Sequence, residues 1–316
     1  MAHVPPIIPD AGGASVCAIV VTYRPDQDLP ARLEHIRRQV GALVIVDNGS
    51  AVDAVAMLRG IAREPGVHLV LNEDNFGIAR ALNIGIGRAA ALGFGRVLLL
   101  DQDSCVEHDM VRELLAVEAS HPEGGRLAVI GAAFMDVNRE SRGIRTQQSA
   151  DPAESAAPAW QDAEFVITSG SLIPLAVHEI VGPFREELFI DSVDIDYCFR
   201  ARRMGYRLIK TRRFLMSHAI GAYSRHRVLG KDKWTTNHSA DRRYYIARND
   251  TVMLREYGNY RFGLWALKGF QRSFRLCKRI LLYEVSKGPK LIAVIQGWWD
   301  AVRGRLGPRT RSHDLR

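Results

Sequence analysis

Five short runs of β-branched and apolar residues recur through the first 134 positions. They are SVCAIVVTY (15–23), ALVIVDN (42–48), VHLVLN (67–72), RVLLLD (96–101) and LAVIGAAF (127–134). Stretches of helical period lie between them, residues 28–39 and 76–92 among them. Runs apolar on both faces do not suit a sheet with one wet side. Alternating with helices, they predict an α/β fold whose mostly parallel sheet is covered by helices on both faces, Rossmann-like in plan. Right-handed crossovers then bring the C-terminal ends of the strands to one edge, where ligands of such sheets bind.

Polar residues gather at those ends. The first strand delivers Thr22, Tyr23 and Arg24, and the second Asp47, Asn48, Gly49 and Ser50. The third leads through Asn72 to Asn75, Phe76 and Gly77, and the fourth ends in Asp101, Gln102 and Asp103. Any one of these sets is explained as a polar turn or helix cap; four on one edge point to a ligand. Two carboxylates ending a buried strand repel each other and call for a positive partner. A hard cation, Mg²⁺ or Mn²⁺, takes few carboxylates and leaves positions for phosphate oxygens; the bland alternative is that these acids cap the helix that follows. Asp47 suits hydrogen bonds to ribose or a base. No glycine-rich dinucleotide fingerprint follows the first strand, since VTYRPDQD has no glycine, which points to nucleotide binding without NAD.

A second acidic group comprises Asp191, Asp194 and Asp196. On a helix, 191 and 194 share a face and 196 points elsewhere. Acids at a helix start are stabilised by the helix dipole, and one there can also serve as general base toward a hydroxyl. Residues 135–163 read as a loop or insertion, 188–211 as a helix then a strand, 212–241 as a loop region and 242–257 as a helix. The first 14 residues read as a disordered leader. Cys17, Cys105, Cys198 and Cys277 are scattered with no CxxC pair, which fits a reducing cytoplasm rather than a disulfide framework.

In their order along the chain, VVTYRPD (20–26), VIVDNGS (44–50), NEDNFGIARALNIGI (72–86), LLLDQDS (98–104), TSGSLIP (168–174), LFIDSVDIDYCFRAR (188–202), SHAIG (217–221) and RRYYIARN (242–249) resemble the inverting GT-A glycosyltransferases of family two. The pairing of DQDS with FIDSVDIDYC is most similar to the family's bacterial rhamnosyltransferase branch. The resemblance spans residue 16 to about 250. It implies that Thr22, Tyr23, Arg24, Asp47 and Asn48 hold the nucleotide, that Asn75, Gly77 and Arg80 lie near the base and diphosphate, and that Asp101, Gln102 and Asp103 form the DxD element, with Asp103 the leading metal ligand. Asp194 matches the family's catalytic base; many relatives carry a Glu-Asp pair where this chain has Val193-Asp194, which keeps Asp191 as an alternative. His218 and Arg248 would meet the diphosphate, and His218 joins the acids as a metal candidate.

The implied reaction is inverting transfer of L-rhamnose from dTDP-L-rhamnose to a hydroxyl of a glycan, glycolipid or lipid-linked glycan in cell-surface polysaccharide synthesis. The alternative donor is another nucleotide sugar, a UDP-hexose or galactofuranose. A nucleotidyltransferase would need a glycine-rich basic loop after the first strand. A nucleic-acid-binding protein would leave the acidic edge unexplained, because acids repel phosphates. The resemblance divides the chain into a catalytic domain, 15–250, and a helical extension, 251–316. The extension holds 14 Lys or Arg against 4 Asp or Glu, a net +10 of the chain's +8, which leaves −2 on the first 250 residues. Within 261–282, Arg261, Lys268, Arg272, Arg275 and Arg279 fall on one side of a helix, and Ala266, Phe270, Phe274, Cys277 and Leu281 on the other. Together with Trp298, Trp299, Arg303 and Arg305, this predicts a helix lying on an anionic membrane, on the cytoplasmic face of the inner membrane; packing on the catalytic domain, or a homo-oligomer through these helices, is the alternative.

Overall fold

The structure, a computed structural model, describes residues 15–136, 158–218, 223–228, 231–259 and 263–309; only the main chain is described at 136, 218, 223–228, 231–235, 265 and 266. The chain forms two compact units. The first holds the residues up to 76, then 80–184 and 197–219; the second holds 77–79, 185–196 and the chain from 220 onward.

The first unit is built on the predicted parallel strands. Strands β1 (Val16–Thr22), β2 (Ala42–Asp47), β3 (Val67–Leu71) and β4 (Arg96–Asp101) pair in parallel in the order β3-β2-β1-β4. Every residue of β1 and β2 is buried. One face is covered by α1 (Leu29–Arg37) and α4 (Met110–Ser120), whose Leu33, Ile36, Leu114 and Val117 join Val20, Ile45 and Leu98 in a common core. Helices α2 (Val52–Ile61) and α3 (Ile78–Ala91) complete the crossovers. A Cβ on Gly85 of α3 would come within 2.5 Å of the Ile19 side chain, so glycine is what lets this helix approach the strand.

Beyond β4 the sheet becomes mixed. The short β5 (Cys105–Val106), β7 (Trp160–Asp162) and β8 (Ser171–Pro174) run against the direction shared by β1–β4, β6 (Leu127–Asp136) and β9 (Arg207–His218), and β8 lies between β4 and β6. Helix α5 (Leu175–Val181) follows β8, and α6 (Val193–Arg203) precedes β9 as expected. Most of the segment read as a loop between 135 and 163 lies outside the described residues, yet it ends in β7, which pairs with β9. Its Trp160 gives one apolar contact to the core and two polar residues to solvent, too little for a periodic signal.

The reading of 212–241 as a loop is corrected in both units. Strand β9 continues to 218, and β10 (Tyr223–Val228) and β11 (Lys231–Thr236) form an antiparallel hairpin. Their sequences, YSRHRV and KDKWTT, lack the apolar runs that signal a covered strand. Helix α7 (Ala240–Tyr257) starts at Ser239, whose hydroxyl accepts the Arg242 amide at 3.2 Å, and runs through position 250, the boundary expected for the extension. It packs with α8 (Gly263–Tyr283) and α9 (Lys287–Val302), Ala247, Ile280 and Val294 meeting at their centre.

Candidate active site

The strand register brings the predicted edge together in the first unit. Thr22 pairs with Asp47 and Val21 with Asp101 across neighbouring strands. The side chains then divide into braces and presented groups. Asp47 is 1% exposed. Its carboxylate accepts the Thr22 hydroxyl at 2.9 Å and the Ser50 hydroxyl and amide at 2.6 and 2.8 Å, while Ser50 Oγ accepts the Arg24 amide at 2.8 Å. Thr22 and Asp47 therefore brace the ends of β1 and β2 from inside. Asn48 is also buried: it donates to Asn75 Oδ1 at 2.9 Å and accepts from Asn72 Nδ2 and the Phe76 amide, both at 3.1 Å, which fixes the turn after β3.

Gln102 is likewise a brace. Its Oε1 accepts the Tyr23 amide at 2.9 Å and its Nε2 donates to the Tyr23 carbonyl at 3.2 Å. The Asp101 amide donates to Ser169 Oγ at 3.2 Å, and Ser169 and Ser104 share a hydroxyl bond at 2.6 Å. This serine pair was not a sequence-level candidate, although TSGSLIP carries Ser169. What the edge presents is exposed Tyr23, Arg24, Arg80 and Asp103, with Asn75 and Asp101 half-buried. The Arg24 guanidinium lies 5.0 Å from the Tyr23 ring and that of Arg80 lies 4.2 Å from the Phe76 ring, cation–π contacts that support both cations at this edge.

No group of three or more His, Cys, Asp or Glu side chains that could hold a metal ion occurs among the described residues. Asp103, exposed, and Asp101, half-buried, are two hard oxygen donors at a strand end. That set does not enclose an ion, but it fits a Mg²⁺- or Mn²⁺-type cation whose other positions are filled by phosphate oxygens and water. His218 closes β9, and its side chain lies outside the described residues.

In the second unit, the three acids of the FIDSVDID stretch receive three different environments. Asp191 is held by Arg242, whose Nη2 and Nε donate to its two carboxylate oxygens at 2.9 and 3.2 Å. Asp196 is 1% exposed, accepts the Tyr257 hydroxyl at 2.9 Å and lies 3.8 Å from Arg185. Asp194, in the first turn of α6 and partly exposed, accepts the amide of Ile195 at 2.9 Å. Asp194 combines partial access to solvent with a place at a helix N-terminus, where the dipole favours a carboxylate.

The turn that carries these acids is strained. Phe189, Asp191 and Ser192 all have positive φ, 65°, 65° and 63°, a conformation costing about 1–3 kcal/mol for each non-glycine residue. Asn249 of α7 holds it, its Nδ2 donating to the carbonyls of Leu188, Ile190 and Asp191 at 3.0, 2.8 and 2.8 Å. Arg248, 0% exposed, donates to the carbonyls of Glu187, Leu188 and Gly307 and to Asn249 Oδ1. Its guanidinium is thus enclosed by main-chain carbonyls. Gly77 (φ 83°) meets the same turn: a Cβ there would lie 2.6 Å from the Phe189 carbonyl, so glycine is what allows this close approach. Asn249 and Arg242 were missed as site residues although both lie in RRYYIARN; for Asn249 the available signal was an amide on a core-facing position of the helix, while Arg242 lies on its exposed side and gave none.

Residues 17–174 match the family described as Glycosyl transferase family 2. The dTDP-rhamnosyl transferase RfbF of Shigella flexneri is 30% identical over 253 residues, covering 77% of this chain and 81% of that protein. Among solved structures, TarS 1-349 of S. aureus superposes with a TM-score of 0.57 at 15% identity, covering 92% of this chain and 81% of that one. The mannosyltransferase PcManGT of Pyrobaculum calidifontis, solved with GDP-Man and Mn²⁺, gives 0.54 at 15% identity, covering 92% and 88%. The strand-end acids, the sheet order and the length of the matches agree: this chain is a glycosyltransferase with the GT-A fold and belongs to glycosyl transferase family 2.

Proposed function

We propose that this chain transfers L-rhamnose from dTDP-L-rhamnose to a hydroxyl of a glycan or lipid-linked glycan, with inversion at the anomeric carbon. The observation that carries the donor assignment is the 30% identity to a dTDP-rhamnosyl transferase over three quarters of the chain. Support for the reaction type comes from the separate environments of the acids, since a single displacement needs one accessible base and a cradle for the leaving group.

In this reading Tyr23, Arg24, Asn75 and Arg80 receive the nucleotide and diphosphate, on walls held rigid by the Thr22–Asp47–Ser50 and Gln102–Tyr23 bonds. Asp101 and Asp103 would hold a Mg²⁺- or Mn²⁺-type cation, which when bound neutralises charge on the diphosphate. Asp194 takes the proton from the acceptor hydroxyl. That oxygen bonds to the anomeric carbon from the face opposite the leaving group, the bond from that carbon to the diphosphate oxygen breaks, and dTDP departs with the electron pair. No covalent sugar–enzyme intermediate forms. Arg242 keeps Asp191 engaged as an ion pair.

The test is a panel of nucleotide sugars, scored by thermal stabilisation with divalent cation present and by release of nucleoside diphosphate. The reading expects dTDP-L-rhamnose to stabilise the protein most and to be the one turned over. Stabilisation and turnover with UDP-galactose or UDP-glucose, but not with dTDP-L-rhamnose, would overturn the donor assignment.

A further inference from the structure

Helix α8 presents three arcs, not the two opposed faces read from the sequence. Gly269, Ser273 and Ile280 are buried, and Leu276 and Cys277 are half-buried against α7 and α9. Leu264, Leu267, Phe274 and Leu281 recur at spacings of three and seven residues and are exposed, Phe274 by 64%. Lys268, Arg272, Arg275 and Arg279 form an exposed basic arc beside them. Of the earlier apolar set, Phe270 and Cys277 are thus half-buried while Phe274, one side of which stacks on Trp298, and Leu281 are exposed; Arg261 and the Ala266 side chain lie outside the described residues. Helix α9 repeats the plan. Its Lys290, Ala293, Val294, Gly297 and Ala301 are buried, whereas Ile292, Ile295, Trp299 and Val302 form an exposed row at spacings of three, four and three. Arg303 lies 4.4 Å from the Trp299 ring.

Ten of the fifteen large apolar side chains exposed among the described residues fall between 264 and 302. Such a concentration marks a contact surface, and the charge around it selects the occupant. Residues 263–309 hold ten Lys or Arg and two acids. Both acids are engaged: Glu284 is buried with Arg243 and Lys290, and Asp300 accepts the Tyr244 hydroxyl at 2.8 Å. The apolar rows are therefore bordered by positive charge alone. Arg272 lies 3.6 Å from the buried Asp250, and Lys290 and Arg309 are paired with Glu284 and Asp241, but a two-fold contact would still set this basic surface against itself and bring Lys268, Arg275 and Arg279 toward like charge. Nucleic acid would answer the cations but leave rows of Leu, Ile and Val without an apolar partner. An anionic bilayer answers both, taking the apolar side chains at the headgroup–acyl boundary and the cations among its headgroups. No helix of the described residues is long and apolar enough to cross a membrane, so these helices would lie in the surface.

We infer that α8 and α9 together form a docking surface for an anionic lipid bilayer. The inference is independent of which nucleotide sugar is the donor. Its test is flotation of the full chain with vesicles of phosphatidylcholine plus phosphatidylglycerol, against vesicles of phosphatidylcholine alone, over a range of salt. The protein is expected to float with the anionic vesicles at low salt, to stay at the bottom with the neutral ones, and to be released as salt rises. Arg275→Glu with Arg279→Glu should lower partition at least about thirtyfold, the factor carried by two basic groups near such a surface. Leu281→Ser with Ile295→Ser should lower it about tenfold or more, leaving the melting temperature and donor hydrolysis in solution as they are. Absence of flotation with anionic vesicles, or flotation unchanged by the charge reversal, overturns the inference. A dimer dispersed by Leu281→Ser with Ile295→Ser assigns the rows to a second copy and also overturns it, as does a salt-sensitive shift of duplex DNA by a protein that does not float. Should a variant fail to fold, the dependence of the unaltered chain on phosphatidylglycerol and salt decides the matter.

Discussion

Asn249→Ala tests whether the strained turn before α6 is held for catalysis. The Asn249 amide group has two hydrogens and serves three carbonyls at 2.8–3.0 Å, so one of its hydrogens is shared. Removing it deletes two to three buried hydrogen bonds worth about 0.5–1.5 kcal/mol each, and leaves carbonyl acceptors whose unpaired burial costs about 1–3 kcal/mol. Relaxation of the turn at 189, 191 and 192 recovers part of that, because the positive-φ residues are then released from strain. The net destabilisation should be about 2–4 kcal/mol, read by denaturant unfolding. Relaxation also moves Asp194, two residues beyond the turn, and a displacement of about 1 Å from productive geometry costs on the order of 10²-fold in rate. Expected, then, is a folded protein with lowered stability, kcat for transfer reduced about a hundredfold, and thermal stabilisation by the donor retained. Two results would refute the reasoning: kcat close to the parent's despite the lost stability, or donor binding lost in step with kcat.

Other expectations follow from the site and the core. Asp194→Asn should reduce transfer about 10²–10⁴-fold with donor binding intact, whereas Asp191→Asn should act mainly through its ion pair with Arg242; steady-state kinetics showing the larger loss in Asp191→Asn would exchange the two roles. Asp103→Ala should abolish the cation dependence of donor-induced stabilisation, measured by melting curves with Mg²⁺, Mn²⁺ or a chelator, and a persistent cation effect would locate the ligand elsewhere. Asp250, buried in α7, has its carboxyl pushed up to about 6, chiefly by desolvation. The folded state then holds a proton that the unfolded state releases, so stability should fall by about 3 kcal/mol as pH rises from about 4 to 6 and stay level above. Asp250→Asn should lack this slope and be the more stable protein at pH above about 6; parallel melting-temperature profiles for the two would disprove the assignment.

The parallel strands, the acids at their ends and the helix beginning near residue 193 could be read from the chain because each depends on local order: apolar runs, helical periods, and the place where a run stops. The roles of individual polar groups could not. Thr22, Asp47, Gln102 and Arg248 read in sequence as residues near a ligand, and the bonds they make to one another's strands and turns were not legible there. The hairpin β10–β11 was invisible because YSRHRV and KDKWTT lack the apolar run or alternation that signals a strand, and only their pairing shows it.

What the sequence determined by itself is therefore the frame: a parallel α/β sheet with its chemistry on one edge, and two acid clusters too rich for turns alone. What only the tertiary structure decided is how the acids and cations are shared out. Arg242 lies 51 positions from Asp191, Tyr257 lies 61 from Asp196, and Asn249 is 58 to 61 positions from the carbonyls it holds. Desolvation and hydrogen-bond partners set the role of a buried polar group, and both are fixed by residues that meet only when the chain has folded.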